Sequence, residues 1–256
     1  MKALLQRFFL FLVLSSACLP AQAQQMYTRK ARLADFPTRT LKVVAGGNSF
    51  LELSLKEEIS SRWRVSPFEF CTVGEYESLK EDNGYYFLHL GTEEGIAFLI
   101  LSKGGKEDES DNFRKPFEVV RLPIASLGDP SGRELMYMGA FIDIIQAFAE
   151  EAMISDRTAY TGLKSYNQRT LSGRTVHVDP DRADAAFHEG TPGAVAGIVI
   201  APTNISFDSF CYKMLIAADT HELLYFRKAK YKGSKDAAFT KSEIRQFRQR
   251  NGIIAQ

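Results

Sequence analysis

The chain has 256 residues, 45% of them hydrophobic, with 32 basic and 31 acidic side chains and a formal charge of +1. So even a balance excludes bulk electrostatics as a means of holding nucleic acid. Three cysteines, none in CxxC spacing, exclude a redox or metal motif of that kind.

Met1 to Ala23 reads as an export signal. Lys2 and Arg7 give a basic start, Phe8 to Leu14 an unbroken apolar run, and Ala21-Gln22-Ala23 a small-x-small site for cleavage before Gln24. Ser15-Ser16-Ala17-Cys18 offers a competing lipoprotein junction with a lipid anchor on Cys18, although Ser15 stands where Leu is usual. The mature chain, residues 24–256, is expected to be secreted or periplasmic, with no later run long enough to span a membrane. Its 233 residues suit one large domain or two small ones and can bury a real core. Without Lys2 and Arg7 it carries 30 basic and 31 acidic groups. From Arg227 onward nine Lys or Arg face only Asp236 and Glu243, which makes a basic tail on an acidic body.

Residues 24–38 are polar and read as a loose lead-in. Thr40 to Ala45 is a strand, and Gly46-Gly47-Asn48-Ser49 turns it into a helix. Ser49 and Glu52 have capping-box spacing, and Phe50, Leu51, Leu55, Ile59 and Trp63 recur at helical intervals before Pro67. A strand at 68–73, an acidic helix at 75–81, an Asp82-Asn83-Gly84 turn and strands at 85–90, 96–102 and 117–124 follow, the last two separated by a charged loop, 103–115. The turn cluster Asp129-Pro130-Ser131-Gly132 divides the chain into halves, 39–128 and 129–234. A helix over 134–153 buries Phe141, Ile144, Ile145, Phe148 and Ala152, and residues 155–173 show no clear pattern. A strand at 174–179, a helix at 180–188 and a meander at 195–201, 210–217 and 223–229 complete the second half, whose last hairpin is apolar enough to be covered on both faces. Thr240 and Glu243 cap a final basic helix within 235–256.

The halves share an order of elements, which predicts an internal duplication. The fold class is α/β, with α+β as the alternative, each half a small mixed sheet with helices and a terminal antiparallel meander. That order, with the hairpin from Ala217-Ala218-Asp219 to Leu223-Leu224-Tyr225, resembles the amino-terminal domain of TolB and the related envelope lipoproteins that activate cell-wall synthases. Those families carry an Asp, a turn with Gly and a strand there, whereas this chain has His221 in the place of Gly. The resemblance is one of architecture and implies a fold rather than a reaction.

Several stretches are candidates for chemistry. Gly46, Gly47, Asn48 and Ser49 join a strand to a helix start, whose free N–H groups favour an anion; GxGxxG and P-loop patterns are lacking. Asp181, Asp184 and His188, beside His177 and Asp179, form the densest set of metal-ligating residues, with Asp184 and His188 four apart on one helix face. The simpler account of this stretch is Asp179 as cap, Pro180 in the first turn and Asp181 favoured by the helix dipole. Cys71 and Cys211 lie in apolar strands, open either to a disulfide or to burial as free thiols. GxSxG is missing, and neither cysteine has a neighbouring His. No cofactor is predicted. Lys228, Lys230, Tyr231, Lys232, Arg245 and Arg248 make an interaction surface for an envelope protein or an anionic envelope surface, or else an edge strand guarded by Lys. The expectation is an exported, non-enzymatic binding module; the alternative is a secreted hydrolase or metal enzyme using the His177 to His188 segment or a cleft between the halves.

Overall fold

In the computed structural model, which describes residues 28–47, 49–128 and 131–255, the first half runs α1 (Arg29–Leu33), a 3-10 turn (Phe36–Thr38), β1 (Thr40–Val44), α2 (Phe50–Arg62), β2 (Phe68–Cys71), α3 (Val73–Leu79), β3 (Tyr85–Glu93), β4 (Ile96–Lys103) and β5 (Phe117–Ser126). The second runs α4 (Arg133–Met136), α5 (Met138–Ile154), α6 (Asp156–Thr161), a 3-10 stretch (Gly162–Gln168), β6 (Thr175–His177), α7 (Pro180–His188), β7 (Ala194–Ile200), β8 (Phe210–Ala217), β9 (Leu223–Lys230), α8 (Lys241–Gln249) and β10 (Ile253–Ile254). The class is α/β, with two similar five-stranded mixed sheets. Among the described residues no helix is long and apolar enough to cross a membrane. The expected signal segment and Cys18 lie outside the described residues.

Capping fixes the helix starts. Ser49 accepts from the Glu52 amide at 3.3 Å while the Glu52 carboxylate returns to the Ser49 amide, and Thr240 with Glu243 repeats the arrangement. A third box, Thr72 with Glu75, starts α3 earlier than predicted and ends β2 at Cys71. The long helix expected over 134–153 breaks at Tyr137 into α4 and α5; Phe141, Ile144, Ile145, Phe148 and Ala152 are buried as its periodicity requires.

The first sheet has order β2-β1-β3-β4-β5 and the second β10-β6-β7-β8-β9. In each, three parallel strands lead into two antiparallel ones. Position by position, β6 stands where β1 does, β7 where β3 does and β10 where β2 does. The helix–strand unit α2–β2 therefore corresponds to α8–β10, placed early in one half and last in the other, as in a circular permutation. Reading the halves in linear order pairs β2 with β6, but the sheets pair it with β10. The basic tail is thus the last part of the second sheet: Ile253 and Ile254 pair in parallel with Thr175 and Val176.

The halves share one core. Leu41, Val43, Leu55 and Ile59 of the first half, Ile144, Ile145 and Phe148 of α5, and Ala196, Ile198, Met214 and Ile216 of the second sheet belong to a single buried cluster. A second cluster on the other face of the second sheet joins Val195, Leu215 and Tyr225 to Phe247 of α8, so the β8–β9 hairpin is covered on both sides.

The described part of the expected loose lead-in is structured. Leu33 and Phe36 are fully buried, Phe36 lying 4.4 Å from the Tyr86 ring and 6.2 Å from Trp63. Two isolated apolar residues in a polar run show no periodicity, yet each fills a core position. The patternless 155–173 stretch likewise contains α6 and the 3-10 turns, with Ala159, Leu163 and Tyr166 buried.

Candidate functional site

The site begins with an unequal covering of the two sheets. Right-handed crossovers put α3, which leads into β3, and α7, which leads into β7, on the same side of their sheets. In the second half that side faces the shared core through Ala196, Ile198, Met214 and Ile216. In the first half it faces outward; α3 lies on it, and Tyr212 of β8 covers its far end at Phe98. The result is an open groove of about 690 Å³ bounded by α3 on one side and residues 103–118 on the other.

Strand register supplies the floor. Phe87 pairs with Ser102 and His89 with Ile100 across β3 and β4, and Ile100 pairs with Arg121 of β5. Tyr76 of α3 closes one end, its ring 5.1 Å from Phe87 and 5.3 Å from His89. Burial pushes the His89 imidazole down, so the ring is neutral at physiological pH, and pushes the Tyr76 phenol up. Burial also opposes the Arg121 charge, but Glu118, at 2.9 Å, and Glu93 outweigh it and keep the guanidinium firmly ionised. The groove thus offers an aromatic and aliphatic floor, a neutral imidazole and an internally compensated charged rim.

The opposite wall is held by backbone bonds. The amides of Gly104 and Gly105 donate to the carbonyls of Tyr85 and Lys80, both at 3.0 Å. A β-carbon on Gly104 would collide with the Asp82 carbonyl, so glycine permits this approach. A second hollow of about 510 Å³, sharing Glu81 and Lys106 with the first, extends the groove toward Arg114. Lys103 sits under the wall but sends its ammonium through to the inner face, 2.8 Å from Asp35 and over the Tyr86 ring. Burial pushes the Asp35 carboxyl up, yet the bonds from Lys103 and Tyr86 outweigh it and hold it below the usual carboxylate range.

None of the predicted site residues lines this groove. At Gly46 to Ser49 the Glu52 carboxylate takes the place an anion would occupy: it accepts from the Gly47 amide at 3.0 Å and the Ser49 hydroxyl at 2.8 Å, so the donors are spent internally. Asn48 lies outside the described residues. Asp184 accepts from Arg133 at 2.6 Å and from the Tyr137 hydroxyl at 3.1 Å, which ties α7 to the start of α5, while Asp181 and His188 are exposed. Among the described residues no group of three His, Cys, Asp or Glu is placed to hold a metal. Asp179 caps α7 through the Arg182 amide, as the simpler account of that stretch requires. Cys71 and Cys211 are free and buried in different sheets, so they form no bridge; burial pushes both thiols up.

The basic surface is divided. Lys228 lies 4.2 Å from the Phe210 ring, and Lys230 lies over Phe207 and Phe210 while pairing with Asp208. Arg245 and Arg248 are exposed on α8, which packs on the opposite face of the sheet. Tyr231 is half-buried beside the cleft between the halves, and Lys232 is exposed beyond the end of β9. The structure does not bring these six residues to one face.

Two polar centres escaped the sequence. Lys213 and Glu243 form a buried ion pair at 3.1 Å, with Tyr225 donating to the same carboxylate group at 3.0 Å. Burial pushes Glu243 up, but bonds from Thr240 and Lys213 outweigh it and hold the carboxyl below its ordinary value. His221, at φ +58°, bonds Asp143 at 2.7 Å and stacks on Phe187, and Asp143 also receives Arg62 of α2 at 3.1 Å. Through Asp143 of α5, this histidine connects the hairpin of the second half to Arg62 of α2 in the first. No protein-family model matches the chain, and no curated protein or solved structure does.

Proposed function

We propose that the chain acts, after export, as a non-enzymatic binding module that receives a segment of a partner in the groove on the open side of the first sheet. The observation that carries this reading is the unequal covering of two equivalent sheet faces, one buried in the shared core and the other left as a groove. The lining also favours reversible binding. The covered face bears Ala196, Ile198, Met214 and Ile216, whereas the open one mixes Ile100 and Tyr76 with His89, Ser102, Glu118 and Arg121. A surface of that kind stands exposed without collapsing onto any apolar neighbour, and suits a partner with both apolar and hydrogen-bonding groups.

Binding is also favoured over catalysis by what surrounds the histidines. Among the described residues no hydroxyl or thiol hydrogen bonds a histidine ring; His89 hydrogen bonds the Leu90 carbonyl at 3.4 Å, and His221 bonds Asp143. An export signal read at Met1 to Ala23 would carry the module to the envelope, the setting that the architectural resemblance to the TolB amino-terminal domain also implies. The test is a random peptide library panned against the immobilised exported chain and against Ser102→Trp, which fills the groove. Enrichment on the wild type that Ser102→Trp loses supports the reading; equal enrichment on both proteins rejects it.

A further inference from the structure

Sheet edges expose unpaired backbone groups and are normally guarded by charged side chains, proline, bulges or shortness. Among the described residues, three of the four sheet edges are guarded. β5 carries Pro123 and two register shifts against β4, β9 carries Lys228 and Lys230, and β10 is two residues long. β2, Phe-Glu-Phe-Cys, is four residues long with no lysine, no proline and no register shift against β1, and its one charge, Glu69, is paired with Lys42 of β1.

The surroundings of β2 are apolar as well. Phe70 is 40% exposed on the strand itself, and Phe50, Leu53 and Val73 are exposed in the first turns of α2 and α3. These turns come to one corner of the molecule, because Thr72 lies against Gly46, whose β-carbon would stand 3.0 Å from the Thr72 Cα. Phe70 is in register with Val43, a core residue on the α2 side, so Phe70 shares a sheet face with α2.

Backbone direction fits a second copy of the same strand. The carbonyls of Pro67 and Cys71 accept from Leu41 and Ala45 of the first half. The alternation of a strand therefore turns the N–H and C=O of Phe68 and Phe70 away from β1, toward the open edge. Two copies placed antiparallel about a two-fold axis through Phe70 would exchange both Phe70 backbone bonds, the closely bonded pair of an antiparallel ladder. The same axis, perpendicular to the sheet, sets the two Phe70 rings on one face, the face that α2 covers. It puts Glu69, already neutralised by Lys42, opposite Cys71 rather than opposite another Glu69.

We propose that β2 is a dimerisation edge, and that two copies of the chain join their first sheets there into one sheet of ten strands. The contact uses neither the groove nor its lining, so it stands or falls separately from the binding reading. The experiment is sedimentation velocity of the exported chain from low to high micromolar concentration, with amide exchange of β2 followed over the same range. Wild type and Phe70→Leu should reach twice the chain mass, and the Phe70 amide should gain protection as concentration rises. Phe70→Lys should remain at the monomer mass with an unchanged melt, since the ring it removes is half-exposed in the monomer. A wild type that stays at the monomer mass, or a dimer that Phe70→Lys leaves intact, overturns the proposal. Were Phe70→Lys to unfold, the exchange series on the wild type decides alone: protection of Phe70 that does not change with concentration rejects the dimer.

Discussion

Glu243→Ala probes the buried ion pair that fastens the last helix to the second sheet. Lys213 and Glu243 are 3% and 1% exposed, and the carboxylate accepts from Lys213, Tyr225, Thr240 and Arg227. Removing it leaves the ammonium buried with the Ala238 carbonyl as its remaining partner. Breaking one side of such a pair costs about 3–5 kcal/mol, and loss of the cap adds roughly 1 kcal/mol. For a chain of this length a loss of about 5 kcal/mol corresponds to a fall in melting temperature on the order of 10–20 °C. Urea unfolding of wild type, Glu243→Ala and Lys213→Met combined with Glu243→Gln reads the effect. The double variant should recover at least half of the loss, because the buried charge goes while the cap acceptor stays. The carboxyl is held below its ordinary pKa, so its contribution is present above the unfolded value and lost as pH falls through the folded one. The gap between wild type and Glu243→Gln should therefore close toward acid pH. A cost below about 1 kcal/mol for Glu243→Ala would refute the pairing.

Phe36→Ala should cost about 3–5 kcal/mol in urea, since the ring is fully buried against Tyr86 and Trp63; a near-neutral result would return residues 28–38 to the status of a loose lead-in. His89 is held below its ordinary pKa by burial, so the unfolded chain takes the proton first and stability falls from about pH 6.5 downward. In His89→Gln the melting temperature should fall less between about pH 7.5 and pH 5 than in the wild type; parallel profiles would contradict the burial. At φ +58°, His221→Ala should be less stable than His221→Gly by about 1 kcal/mol, both having lost the Asp143 bond; equal melts would place the turn in another conformation.

Local rules carried much of the fold. Ser49 with Glu52 and Thr240 with Glu243 mark helix starts through interactions three residues apart, and Pro180 opens a helix whose bounds the sequence predicts as observed. Thr72 with Glu75 carries the same signal, although the apolar run before it reads as strand through Val73. What escaped depends on distant contacts. Ile253 and Ile254 are too few to show a period and become a strand only because Thr175 and Val176 lie beside them. Leu33 and Phe36 are isolated apolar residues until Trp63 and Tyr86 surround them. The groove is the extreme case: Tyr76, His89, Ile100 and Arg121 come from four elements, and each alone reads as an ordinary strand or helix residue. At Gly46 to Ser49 the reason is local, because Glu52, which completes the capping box with Ser49, also occupies the anion site.

The claim that a partner occupies the open face of the first sheet is tested most directly by site-specific photo-crosslinking in cells exporting the chain. The photoreactive residue replaces Ser102 on the groove floor or, in a control, Arg248 on the exposed side of α8. The account predicts a discrete adduct from position 102 that Ile100→Glu abolishes in a chain still folded by circular dichroism, with none of that mass from position 248. No adduct at 102, or the same adducts from both positions, would contradict it.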